Sequence, residues 1–320
     1  MTAADDSQAA ARAYRVFARR EARGRSAAYE ALAEAVADDE AVMGFVAALP
    51  AGKRQPGLLF AAARYLDGAV PSPGRLRELV SGSRAELEQV LRTRRVQTNE
   101  AARCAVLMPV LAQLPQPLAL IEVGASAGLT LLFDQYSYDY GGHRVAGRDP
   151  FAPTLRCEPR GPVPLPERVP AIAWRAGLDL NPLDVTDDDD IRWLSCLVWP
   201  GESGRAGRLA DAIATARRDP PAVHRGDLAT GLPAVAAGAP AGVTLVVYHC
   251  SVLYQVPPAG REEFAAAVRG LGAWWLSAED PGILPGTDAP TVDDQMYVLA
   301  LNGRPVATGD SHGTWLRWRT

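Results

Sequence analysis

The chain has 320 residues, 48% of them hydrophobic and 22% charged, with a formal net charge of −4. That is ample for a sizeable core in one large domain or two smaller ones, and the mild acidity offers no general attraction to phosphate backbones or anionic lipid, so neither nucleic acid nor membrane is an expected partner. Cys104, Cys157, Cys196 and Cys250 form no C-x-x-C pair and resemble neither a zinc site nor a disulfide framework, and no signal peptide or long apolar span is evident. A cytoplasmic protein with reduced thiols is expected.

Residues 7 to 114 are rich in Ala, Arg, Glu and Leu at helical spacing and predict four to six helices, with Ser26 and Ser83 as N-caps and a turn from Gly68 to Gly74. The run Gln97-Thr98-Asn99-Glu100-Ala-Ala-Arg103 gathers polar side chains before the first strand. Asn99, Glu100 and Arg103 are candidates to line a substrate pocket; alternatively Thr98 or Asn99 caps a helix with Glu100 in its first turn. Leu114-Pro-Gln-Pro-Leu118 reads as a joint, giving an all-helical N-terminal region at 1–115 and a second domain at 116–320.

Beyond the joint, short apolar runs alternate with helical or irregular pieces, the pattern of a mostly parallel α/β sheet. Strands are expected at Ala119–Val123, Ala171–Arg175, Ala222–Arg225, Val243–His249 and Ala273–Ser277. An insertion at about 136–169 carries a hairpin at Tyr138–Val145 and is expected to loop away from the sheet. Asp187 to Asp190 read as the acidic start of a helix at Ile191–Val198, and no metal is predicted. Gln295–Leu301 and Val306–Trp318, joined through Asn302-Gly303, predict a C-terminal antiparallel β-hairpin.

The stretch Leu118 to Leu132 writes a buried strand, a small-residue turn and a helix start in order. Such a turn points backbone N–H groups at one spot, suiting a polar cofactor or an oxyanion. Read as G-x-S-x-G, it makes Ser126 the nucleophile of a serine hydrolase with His312 as base, although the helical region upstream lacks the strands that scaffold requires. Read as a dinucleotide fingerprint, it fails at Ser126 and Leu129.

With Glu122 included, Glu122-x-Gly124-x-Ser126-x-Gly128 resembles the first motif of class I S-adenosylmethionine-dependent methyltransferases, Ser126 replacing the middle glycine. That resemblance implies a Rossmann-like sheet, with Glu122 facing the cofactor's ammonium, Asp179 the ribose and Asp227 the adenine. Asp179 and Asn181 also suit a turn before Pro182, Gly226-Asp227 is a common turn pair, and Glu122 could instead pair with Arg103. At the fourth strand's carboxyl end Tyr248, His249, Ser251 and Tyr254 should face the pocket. His249 is the candidate general base, Ser251 and Tyr254 its companions, and Tyr248 a substrate contact.

IEVGASAGL, Tyr138-Asp-Tyr140-Gly141, RAGLDLNPLD, WLSCLVWPGE, RGD, VVYHCSVLYQVP and QTNEAAR together resemble an actinobacterial family catalogued as domain of unknown function 2332. The expected function is methyl transfer from S-adenosylmethionine to a small molecule. The alternatives are the Ser126 hydrolase and a non-catalytic binding or regulatory protein on a degenerate methyltransferase fold.

Overall fold

The structure is a computed structural model that describes residues 3–284, 287 and 296–319. Six helices come first: α1 (Ala3–Phe17), α2 (Ala27–Ala37), α3 (Glu40–Ala48), α4 (Pro56–Asp67), α5 (Pro73–Gly82) and α6 (Arg84–Thr93). Then follow α7 (Arg103–Leu111), β1 (Leu118–Val123), β2 (Ser137–Tyr140), β3 (His143–Val145), β4 (Thr154–Arg156), β5 (Glu158–Pro159) and β6 (Ile172–Asp179). The remainder is α8 (Asp188–Cys196), α9 (Ser203–Arg218), β7 (Val223–Arg225), α10 (Leu232–Ala236), β8 (Thr244–Cys250), α11 (Pro258–Gly270), β9 (Trp274–Glu279), β10 (Met296–Leu301), β11 (Arg304–Asp310) and β12 (Trp315–Trp318).

Two compact units result, Met1–Thr98 with Asp188–Gly207, and Asn99–Asp187 with Arg208–Thr320. In the first, apolar helix faces close around Phe60, whose ring meets Tyr14 and Tyr29 edge-on or tilted, while Phe17 and Tyr29 also pack on Trp199. Ser26 caps α2 by accepting the Tyr29 N–H. Ser83 precedes α6 without a side-chain cap bond, and Ser72 caps α5. Asp189 and Asp190, in the first turn of α8, both pair with Arg94. Their charge thus serves the helix start and an ion pair together.

The second unit is built on a nine-stranded sheet in the order β5-β12-β11-β10-β9-β8-β1-β6-β7. Strands β7, β6, β1, β8 and β9 run parallel, while β10 and β11 form an antiparallel hairpin beside β9. Gln295, expected to open that hairpin, lies outside the described residues, and the segment expected as its second arm divides into β11 and β12. Sequence order reverses between β1 and β8, a topological switch point of the kind where α/β sheets collect ligands.

All six residues of β1 are buried, which is why it reads as a continuous apolar run interrupted only by Glu122. Ile121, Val123, Ala176, Leu178 and Val247 pack on one face with Phe264 and Val268 of α11 and Leu232 of α10. Glu122 and its register partner Tyr248 point the other way.

No α-helix follows the glycine turn. Leu129–Leu131 form one 3-10 turn, and residues 129–134 are buried on every side. A short apolar run of this kind carries no solvent face to mark its periodicity, so helix and buried coil look alike in sequence. The insertion does not simply loop away: β3-β2-β4 make a small sheet, and β5 joins the main sheet beside β12. Its tyrosines are tied back, with Tyr138 donating to the Phe133 carbonyl at 2.6 Å and Tyr140 to the Ala105 carbonyl at 2.7 Å.

Candidate functional site

The loop leaving β1 has positive φ at Gly124, Ser126 and Gly128, +72°, +53° and +71°. Two positions accept nothing larger than glycine. A Cβ on Gly124 would lie 2.4 Å from Val252 Cγ2, and one on Gly128 2.8 Å from Pro221 Cγ. The close approaches that glycine permits are therefore made by the chain's own side chains.

The loop's amides are likewise engaged within the protein. The Gly124 N–H donates to the Leu178 carbonyl (2.8 Å), that of Ser126 to Asp179 Oδ2 (2.8 Å), that of Gly128 to the Ala125 carbonyl (2.7 Å) and that of Leu129 to Asn99 Oδ1 (2.7 Å). The expected convergence of donors on one ligand is replaced by a loop braced from within. Ser126, the residue a hydrolase would use, is 3% exposed and its carbonyl accepts the Leu183 N–H.

Glu122 is buried at the end of β1, with Oε1 accepting the Thr130 hydroxyl and Oε2 lying 3.4 Å from the Tyr248 hydroxyl. Burial pushes its carboxyl up from 4.5 to about 8, against the lowering influence of the Thr130 bond and of Arg103. Glu122 is therefore mostly protonated at neutral pH. When protonated, its Oε2–H can donate to the Tyr248 oxygen while Tyr248 donates to the Thr130 carbonyl at 3.1 Å, making a chain of hydrogen bonds. A neutral, enclosed carboxyl is not placed to hold an ammonium group. Arg103, also buried, donates from Nε to the Ser311 carbonyl at 3.1 Å and sets its guanidinium 6.0 Å from the Tyr297 ring centre.

Asp179 ends β6 half-buried, Oδ2 on the Ser126 N–H and Oδ1 on the Asn181 N–H at 2.7 Å. Turn and loop brace are thus both carried by one carboxylate, beside the exposed Leu180. Asp227 is exposed after β7, and its Oδ1 accepts the Ala229 and Thr230 N–H groups, which holds its carboxyl below the ordinary range. Asn99 and Glu100 are buried bracing residues. Asn99 holds the Leu129 amide, and Glu100 Oε1 takes the Ala102 N–H at 3.1 Å and Arg208 Nε at 2.7 Å.

His249 is fully buried. The Trp275 indole N–H, which can only donate, lies 2.9 Å from Nε2, so Nε2 accepts and Nδ1 carries the proton toward Glu279 Oε1 at 2.7 Å. Both ring nitrogens are spent, leaving no lone pair for a substrate proton. The geometry thus gives His249 a structural place in the fold where sequence spacing suggested a base.

Sequence reasoning missed Glu279 and Trp275, which hold His249, Thr130, which bonds Glu122 on the other face of the sheet, and Tyr297, which bonds Ser251. Glu279 sits two residues past the expected end of its strand, and the alternation His249, Ser277, Glu279 on one face was the available signal. Ser251, at φ +55°, turns the chain out of β8 and shares a hydrogen bond with the Tyr297 hydroxyl. Tyr254 is 51% exposed at the same end of the sheet. All four cysteines are free and buried. Among the described residues there is no group of three or more metal-binding side chains and no helix long and apolar enough to cross a membrane.

A family model described as "Uncharacterized protein conserved in bacteria (DUF2332)" matches residues 11–318. No curated protein and no solved structure matches.

Proposed function

Given that the chain belongs to the DUF2332 family, we propose that it binds S-adenosylmethionine at the carboxyl edge between β1 and β8 and transfers its methyl group to a small molecule. The observation that carries this reading is the position of Asp179 at the carboxyl end of β6, against the loop that leaves β1 and one strand from the β1–β8 switch. The parallel order β7-β6-β1-β8-β9, with acidic residues at the ends of the second and third strands in chain order, supports a Rossmann-like reading.

The fit of the cofactor differs by residue. Asp179 and Asp227 suit it, since each carboxylate accepts several hydrogen bonds and both reach solvent at the sheet edge. Asp179 would hold the ribose hydroxyls and Asp227 the adenine amine. Glu122 does not suit the ammonium. It stiffens the base of the loop instead, through Thr130 and Tyr248.

S-adenosylmethionine supplies an electrophilic methyl group, and the protein's share is alignment and exclusion of water. With His249 enclosed, the acceptor must lose its proton to solvent or to a group other than that imidazole. Ser251, half-buried and hydrogen-bonded to the buried Tyr297 hydroxyl, offers a hydroxyl that can orient an acceptor at the end of β8. Calorimetric titration with S-adenosylhomocysteine tests cofactor binding, and Asp179→Ala is expected to weaken it at least tenfold.

The enclosure of His249 also favours a second reading, a binding protein that retains the cofactor site without turnover. Cofactor binding with no methyl transfer to any acceptor tried separates that reading from the first. The burial of Ser126 speaks against the hydrolase, which labelling by a fluorophosphonate probe tests directly.

A further inference from the structure

Glu279, the last residue of β9, distributes its hydrogen bonds unevenly. Oε1 accepts from His249 Nδ1 and from the backbone N–H groups of Val252 and Leu253, at 2.7, 2.8 and 3.0 Å. Oε2 is buried and has no hydrogen-bond partner among the described residues. The residue as a whole is 2% exposed. A buried carboxylate oxygen with no donor is costly, and native structures supply one. No cation among the described residues does so. Histidine is Glu279's sole ion-pair partner among the described residues, and that imidazole is neutral because Nε2 accepts the Trp275 N–H.

We propose that Glu279 Oε2 is the anchor of a binding site for an organic amine, taken up as its ammonium form at the carboxyl end of β9. An ammonium supplies both the missing donor and the missing counter-charge, which a neutral alcohol does not. The following residue, Asp280, is exposed and adds a second acidic group of the same sign beside Glu279. The surroundings are apolar. Leu253, Phe264 and Leu284 belong to the adjoining core, with Phe264 5.6 Å from the His249 ring. Identifying this amine as the methyl acceptor rests on the proposed function, whereas its binding does not.

The probe is n-butylammonium chloride, titrated into the full chain by NMR and calorimetry beside n-butanol. Glu279→Gln is the informative variant, because the amide oxygen can keep the three donors of Oε1 while the amide N–H₂ replaces the acceptor with a donor. Saturable butylammonium binding that moves the Trp275 indole N–H resonance, weakened at least tenfold in Glu279→Gln and absent with butanol, is expected. An unmoved Trp275 resonance in the unsubstituted protein overturns the proposal without recourse to the variant, as does equal binding by both proteins or by both probes. S-adenosylhomocysteine titrated into the same samples keeps the two readings apart. Amine binding without it leaves the amine site standing and removes the methyltransferase.

Discussion

Asp179 Oδ2 accepts the Ser126 N–H at 2.8 Å, joining the carboxyl end of β6 to the loop that leaves β1. The same carboxylate closes its own turn through Asn181, so the loop's shape and the edge of the expected ribose site depend on one residue. Asp179→Asn keeps one acceptor oxygen and puts its amide N–H₂ against either the Ser126 or the Asn181 N–H, so one of the two bonds is lost. A loss of about 1–3 kcal/mol in unfolding free energy is expected from urea titration, as for a hydrogen bond to a charged group. A variant as stable as the parent would show that the loop is held by other means.

Glu122 gives stability a pH dependence of definite sign. Its carboxyl titrates at about 8 in the fold against an ordinary value of 4.5. Between those values the unfolded chain releases the proton and the folded chain retains it. The associated stability is complete below the lower value, falls by up to ~1.4 kcal/mol per pH unit as pH rises, and levels off above the higher one. Glu122→Gln keeps an acceptor for the Thr130 hydroxyl and removes the titration, so its stability curve should be flatter across that window. A slope equal to the parent's would place the titrating group elsewhere.

Gly124→Ala meets two separate obstacles. The left-handed backbone costs an L-residue roughly 1–2 kcal/mol, and the new methyl would collide with Val252. Val252→Ala in the same chain relieves the collision and leaves the backbone cost. The double variant should therefore be less destabilised than the sum of the single ones, measured as a coupling free energy. Strict additivity would mean that the loop moves away from Val252 at no cost.

His249→Ala removes a buried ring, one acceptor and one donor at once, and is expected to cost about 2–4 kcal/mol. Nitrogen-15 NMR should show the parent imidazole protonated at Nδ1, with Nε2 as acceptor. An Nε2–H tautomer would undo the assignment of Trp275 as its donor.

Much of the sheet was legible in the sequence because its signals are local. The apolar runs at β1, β8 and β9 and the Asn302-Gly303 turn each state their structure within a few residues. The site was less legible, since its residues act through partners far away in the chain. Glu122 and Asp179 stand out as carboxylates at strand ends. What they bind, Thr130, Tyr248 and the Ser126 amide, is decided by sheet register and by the loop's path. The expected helix after Gly128 failed for a related reason, because a segment buried on all sides has no polar face to reveal its period.

Whether S-adenosylmethionine is the cofactor held at the end of β6 is decided by calorimetric titration of S-adenosylhomocysteine into the full chain and into Asp179→Ala. Saturable one-site binding to the parent is expected, weakened at least tenfold by the substitution. No measurable binding to the parent, or equal binding by both proteins, would contradict it.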